Sequence, residues 1–127
     1  MKYGLIKSTK LSFEDAINKV TQELQKEGFG VLTTIDVQQT LKKKLNVDFQ
    51  KYIILGACNP PFAHRALLAE DEIGLLLPCN VIVYEKGGAT NIAIFDPQVI
   101  TKIVDKPEIH ALAQEVRTRL ERIMAAI

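Results

Sequence analysis

The sequence predicts an α+β fold with two layers, in which helices pack against a mixed β-sheet of about five strands. Segments with apolar residues at helical spacing alternate with strand-like segments through the first half of the chain. The clearest hairpin signal follows in the second half, where two strand-like segments flank a glycine pair. The predicted order is β-α-β-α-β-α-β-β-α, and residues 1–127 are expected to form a single domain.

The helix boundaries are marked by residues that terminate helices well. Ser12 and Asp36 each precede an apolar stripe and are predicted N-caps, while Asn59 is followed by two prolines that suit a first helical turn. Gly28 suits the left-handed conformation that ends a helix. Asp105 is the predicted cap of the last helix. That helix is expected to bury Ile109, Leu112, Ala113, Val116, Leu120 and Ile123.

The strand predictions depend on apolar runs and turn residues. The predicted strands are residues 2–8, 29–35, 52–58, 73–85 and 90–95. The run at 52–58 is almost continuously apolar, which is typical of an interior strand covered on both faces. The run at 73–85 contains Pro78, which indicates an edge position or a bulge. Gly87 and Gly88 predict the tight turn before the last strand.

The overall composition argues against several classes of partner. The chain has 16 basic and 15 acidic residues, so its net charge of +1 gives no bulk attraction to nucleic acid or to an anionic membrane. The basic run at residues 42–44 has no interleaved aromatics and indicates a solvated helix face. No signal peptide or membrane span is predicted, so we expect a cytoplasmic location with free thiols.

Two near-mirror tripeptides contain the only two cysteines. If the apolar runs before them are strands of one sheet, both thiols lie near one end of that sheet. This is the one place where reactive groups look arranged, so we treat it as a candidate ligand or thiol site. Its members are Cys58, Asn59, Pro60, Pro78, Cys79 and Asn80.

Several chemistries are open for this site. Cys58 precedes a predicted helix start, which favours a thiolate that acts as a nucleophile or redox centre, although a small buried structural cysteine explains the position better. Cys58, Cys79 and His64 are weak candidates for a zinc or copper site, since their spacing matches no established pattern. Asn59 and Arg65 suggest an anion site, but two prolines remove donors there. No cofactor motif and no catalytic constellation is present, so no cofactor is predicted.

Three stretches in order, residues 28–38, 54–60 and 73–81, closely resemble the prokaryotic family of domain of unknown function 302. The resemblance extends from Phe13 to the last helix. It implies an α+β fold with helices against a mixed sheet and a homodimer, and it implies no established activity. The hallmark Cys-Asn-Pro of the family matches residues 58–60, and a second hallmark matches Pro78 and Cys79. Members that lack one cysteine count against an obligatory disulfide or a two-cysteine metal site.

These observations leave three hypotheses. The favoured one is a non-enzymatic homodimeric binding or interaction module, with the apolar residues 74–77 as a dimer surface. The alternative is a thiol-dependent protein that handles sulfur species, redox equivalents or a soft metal through Cys58 and Cys79. The third is a small-ligand pocket near Asn59, Cys79 and Asn80.

Overall fold

The computed structural model describes residues 2–127 and shows a five-stranded sheet with helices against it. The strands are β1 (Gly4–Thr9), β2 (Gly30–Asp36), β3 (Tyr52–Cys58), β4 (Cys79–Lys86) and β5 (Ala89–Phe95). The helices are α1 (Phe13–Lys26), α2 (Val37–Leu45), α3 (Pro60–Ala69), α4 (Gln98–Thr101) and α5 (Pro107–Ala125), with a 3-10 helix over Asp71–Leu76. The α+β class is confirmed, and the predicted order holds with the 3-10 helix and the short α4 added.

The sheet order is β1-β5-β4-β3-β2, and every neighbouring pair is antiparallel. The predicted mixed sheet is therefore wrong. A helix between two strands is compatible with either direction, and here the connection from β2 to β3 stays at one end of the sheet, since Asp36 pairs with Ile53. The next strand then runs back beside the previous one, as antiparallel pairing requires.

The main core forms where α1 and α5 cover one face of the sheet. Ala16, Val20 and Leu24 of α1 and Val116, Leu120 and Ile123 of α5 pack on Leu55, Val81, Val83, Ile92 and Ile94. All six residues predicted for the buried face of α5 are buried. Among residues 2–127, no helix is both long and apolar enough to cross a membrane.

The predicted helix ends are confirmed in three places and wrong in one. The Oγ of Ser12 accepts a hydrogen bond from the backbone N–H of Asp15 at 3.1 Å, and an Oδ1 of Asp36 accepts from Gln39 at 3.0 Å. Gly28 has φ +86°, the left-handed conformation expected after α1. Asp105 does not cap α5, because Pro107 occupies the first helical turn and keeps the residue before it extended.

The predicted strand over residues 73–85 is correct only in its second part. Residues 71–76 form the 3-10 helix, and Ile73 is buried in a second cluster with Ile100, Ile109 and Leu112. The Leu77–Pro78 peptide is cis, and β4 begins immediately after it. Pro78 thus marks neither an edge nor a bulge, since β4 is the central strand of the sheet. A short apolar run gives no periodicity that separates a strand from a helical turn.

The other face of the sheet lies opposite the main core, and α2 contacts the edge strand β2 and its neighbour β3. Strand register places one apolar residue per strand in a row across this face. The row is Ile6, Ala93, Ile82, Ile54 and Ile35, and we call this side the open face.

We expect Leu120→Ala to lower the free energy of unfolding by about 3–5 kcal/mol, because the fully buried side chain leaves a cavity between α5 and the sheet. Leu75→Ala is the matched control, since that leucine is 84% exposed, and it should change stability by less than about 0.5 kcal/mol. Urea unfolding followed by circular dichroism measures both. Equal effects would contradict this assignment of the core.

Candidate functional site

A cavity of about 400 Å³ lies where the ends of β3 and β4 meet α3 and α5. We call it the end pocket. The sheet contributes Leu32, Thr33, Ala57, Cys58 and Cys79, with Phe29 and Pro78 beside it. Helix α3 contributes Phe62, Ala63, Ala66 and Leu67, and α5 contributes Ile109, Leu112, Ala113 and Val116. Asn59, Ile73, Leu77, Pro97 and Ile100 complete the wall.

None of the side chains that line the end pocket is charged. Thr33 and Asn59 are its polar members apart from the two thiols, and the rest of the wall is aliphatic or aromatic. A volume of about 400 Å³ lies within the range of small-molecule sites, about 300–1,000 Å³. The chemistry of the wall therefore suits an uncharged, apolar molecule.

The turn from β3 into α3 is held by a contact that the sequence does not reveal. Asn59 lies at the predicted N-cap position, and its backbone carbonyl accepts the N–H of Ala63 at 2.9 Å. Its side chain makes no capping bond to α3; its Nδ2 donates instead to the backbone carbonyl of Glu27 at 3.2 Å. Pro60 follows in the first helical turn, where its missing N–H costs little. The buried Asn59 thus joins the start of α3 to the end of α1.

The same Glu27 carbonyl also accepts a hydrogen bond from Nη1 of Arg119, at 2.9 Å. The Arg119 guanidinium lies 5.0 Å from the ring centroid of Phe62, a pocket-lining residue. The Glu27 carboxylate pairs with Arg122 at 2.8 Å, and the hydrogen bond from Arg122 lowers the pKa of that carboxyl. Three helices, α1, α3 and α5, therefore meet at Glu27 and fix one wall of the pocket.

The structure brings the two cysteines to the same pocket in adjacent strands. Cys79 pairs in register with Ala57, and Cys58 is the next residue along β3. Burial raises the pKa of the Cys79 thiol to about 11, and the neighbouring Cys58 adds to the effect. Cys79 therefore stays protonated near neutral pH and does not supply a nucleophilic thiolate there. Both cysteines are free thiols in the structure, and Cys58 is partly buried.

The other predicted site residues lie outside the pocket wall. Pro60 and Asn80 are exposed and do not line it, and Asn80 pairs with Gly56 on the neighbouring strand. His64 is exposed on α3 and is also absent from the wall. Within residues 2–127, no three His, Cys, Asp or Glu side chains lie together in a way that would hold a metal ion.

Sequence reasoning missed the contribution of α5 and of Gly56. The α5 residues appear in the sequence as one apolar stripe, and nothing in that stripe separates pocket wall from packed core. Gly56 had a signal, since glycine inside a strand often marks a close approach. A Cβ there would lie 2.2 Å from Oγ1 of Thr33 and 3.0 Å from Cγ of Pro78, so the glycine allows both residues to close over β3.

Comparison with known proteins gives a family and a fold. The family model described as "Domain of unknown function DUF302" matches residues 5–127. The chain is similar to a crystal structure of an uncharacterized conserved protein DUF302 from Bacillus stearothermophilus, with 28% sequence identity and a TM-score of 0.91. The match covers 99% of this chain and 98% of that chain. Among curated proteins there is no significant match.

We expect Gly56→Ala to destabilise the protein by about 2 kcal/mol or more, because the new Cβ overlaps Thr33 and Pro78. Gly30→Ala is the matched control in a neighbouring strand, since a Cβ there meets nothing within 4 Å. Thermal unfolding of both variants provides the measurement. A Gly56→Ala protein as stable as Gly30→Ala would show that Thr33 and Pro78 do not close over β3 as described.

We expect alkylation of Cys79 by iodoacetamide to require alkaline pH. Because the pKa of Cys79 is raised to about 11, its alkylation should be slow at pH 8 and should still increase steeply between pH 9 and 10.5. Mass spectrometry of the Cys58→Ser variant isolates this reaction, and unfolded protein in urea is the control. A Cys79 rate that levels off near pH 9 would contradict the raised pKa.

Proposed function

We propose that this chain, which belongs to the DUF302 family of domains of unknown function, is a non-enzymatic binding domain that holds a small, uncharged, apolar molecule in the end pocket. The supporting observation is a cavity of about 400 Å³ without a charged wall residue, in a protein in which 24% of the residues are charged. The pocket opens to solvent, and a cleft of this size with a mostly apolar wall is typical of small-molecule sites.

The wall also argues for binding rather than chemistry. It contains no carboxylate, imidazole or amine that would serve as a general acid or base, and the thiol of Cys79 is held in its neutral form. The Nδ2 of Asn59 donates one of its two N–H groups to the backbone carbonyl of Glu27. Affinity would therefore come mainly from apolar contact area, at about 25 cal/mol per Å² buried.

A homodimer is part of the same proposal. Several large apolar side chains are exposed in the isolated chain, including Ile6 at 46% and Ile35 at 48%. Extended apolar surface of this kind is typical of interaction sites. The net charge of +1 gives little repulsion between two copies. The cytoplasmic location and the absence of a nucleic-acid partner stay predictions from the sequence.

A thiol-dependent role is the second candidate. One observation favours it: Cys58 lies in the pocket wall immediately before α3, where a bound molecule would reach its sulfur. In this candidate the Cys58 thiol holds a sulfur adduct or a soft metal, which is lost when the thiol is removed. Protein purified without chelator and examined by native mass spectrometry should then carry extra mass that disappears in Cys58→Ser, whereas the binding proposal expects Cys58→Ser to retain ligand uptake.

We expect the protein to bind the neutral apolar dye N-phenyl-1-naphthylamine, with a rise in fluorescence as the dye leaves water. Ala63→Phe should lower the affinity at least about tenfold, because the ring occupies the cavity that Ala63 lines. Ala111→Phe is the matched control, since Ala111 is exposed on α5 and lies outside the wall. Fluorescence titration measures the dissociation constants.

Two results would overturn the pocket proposal. One is no saturable dye binding by the wild-type protein, checked by thermal shift with apolar alcohols and aromatic hydrocarbons. The other is equal binding by Ala63→Phe and Ala111→Phe, which would place the dye elsewhere on the surface.

A further inference from the structure

The open face differs from the solvated face of an ordinary antiparallel sheet. Such a sheet usually alternates apolar residues toward the core with polar residues toward water. Here the central row across the open face is Ile6, Ala93, Ile82, Ile54 and Ile35, one residue from each strand. Its two outermost members, Ile6 and Ile35, are 46% and 48% exposed.

The neighbouring rows of the open face are also uncharged. On one side, strand register aligns Ser8, Asn91, Tyr84 and Tyr52, and the rings of Tyr52 and Tyr84 stack with centroids 5.4 Å apart. Phe49 extends this row, with its centroid 6.3 Å from that of Tyr52. On the other side, Asn80, Gly56 and Thr33 align across β4, β3 and β2. None of these three rows contains Lys, Arg, Asp or Glu, and Lys86 lies in the next row, beside Ala89 at the hairpin turn.

We propose that the open face is the surface on which a second copy of this chain docks, face to face, as in a β-sandwich. This rests on the homodimer of the proposed function and names its interface. A face whose central rows are uncharged suits a second copy, because in a two-fold contact the same patch of each copy meets the other and charges of one sign would repel. Two such faces pack about 10 Å apart with their side chains interdigitated.

The size of the open face is sufficient for such a contact. With strands about 4.8 Å apart and a rise of about 3.4 Å per residue, five strands and five residues span about 400 Å² in projection. Side-chain relief and the adjoining Phe49 and Val47, each 43% exposed, enlarge this area. Two copies then bury about 1,000 Å² in total, which is the lower range of a specific interface.

The open face is distinct from residues 74–77, which the sequence predicts as the dimer surface. Residues 74–77 lie in and just after the 3-10 helix, beside the end pocket, and Leu75 alone among them is strongly exposed. One exposed leucine offers far less area than the open face.

Sedimentation velocity over a range of protein concentrations tests the proposal. We expect the double variant Ile6→Lys/Ile35→Lys to raise the dimer dissociation constant at least about 100-fold, because each copy brings two charges into the contact. Thr34→Lys is the matched control, since Thr34 is exposed on the same strand but on the opposite side of the sheet. Leu75→Lys tests the rival surface. Both single variants should dimerise like the wild type.

Hydroxyl-radical footprinting of the wild-type protein gives a second measurement that needs no variant. Dilution below the dissociation constant should raise the reactivity of Tyr52 and Tyr84 and leave that of the exposed Leu75 unchanged. A dimer that survives the double variant, or tyrosines with the same reactivity at both concentrations, overturns the open face as the interface and leaves the homodimer proposal standing. A wild-type monomer at about 100 μM overturns both and leaves the pocket proposal untouched.

Discussion

The backbone carbonyl of Glu27 is the point on which the arrangement of the helices depends. It lies at the C-terminal end of α1, where it accepts one hydrogen bond from Asn59 and one from Arg119. The last carbonyls of a helix need donors from outside it, and Asn59 and Arg119 supply two to this one. The close approach also depends on Gly28, where a Cβ would lie 3.1 Å from Nδ2 of Asn59 and the φ of +86° would strain other residues.

This junction explains why the Cys-Asn-Pro turn has the form it has. The side chain of Asn59 donates its hydrogen bond to the end of α1. Helix α3 therefore begins without a side-chain cap, and two prolines occupy its first turn. The turn places Cys58 in the pocket wall at the end of β3, while Arg119 and Phe62 close the wall from the helix side. An N-terminus that lacks its first donors is a poor anion site, which agrees with a pocket that has no charged residue.

Sequence patterns within a few residues predicted the helices and strands well, but they did not predict contacts between residues far apart in the sequence. The strand Tyr52–Cys58, the caps at Ser12 and Asp36 and the apolar stripe of α5 each depend on residues close in sequence, and all are confirmed. The direction of the strands and the partner of Asn59 depend on residues up to tens of positions away. The run at 73–77 is too short for periodicity to decide, so tertiary packing of Ile73 selected a 3-10 helix there. For the candidate site, the sequence pointed to Cys58, Asn59, Pro78 and Cys79, but the wall from α5 had no separate signal.

The two apolar surfaces of this protein share strands β3 and β4 and meet at Thr33, which lines the end pocket and also belongs to a row of the open face. In β3 and β4, Ala57 and Cys79 face the end pocket, while Ile54 and Ile82 face the open side. Gly56 lies between them in sequence, and its missing side chain lets Thr33 and Pro78 close over the strand at the pocket. The central strands therefore act as a shared wall: a second copy that packs on the open face would hold β3 and β4 in place at the position where they line the pocket.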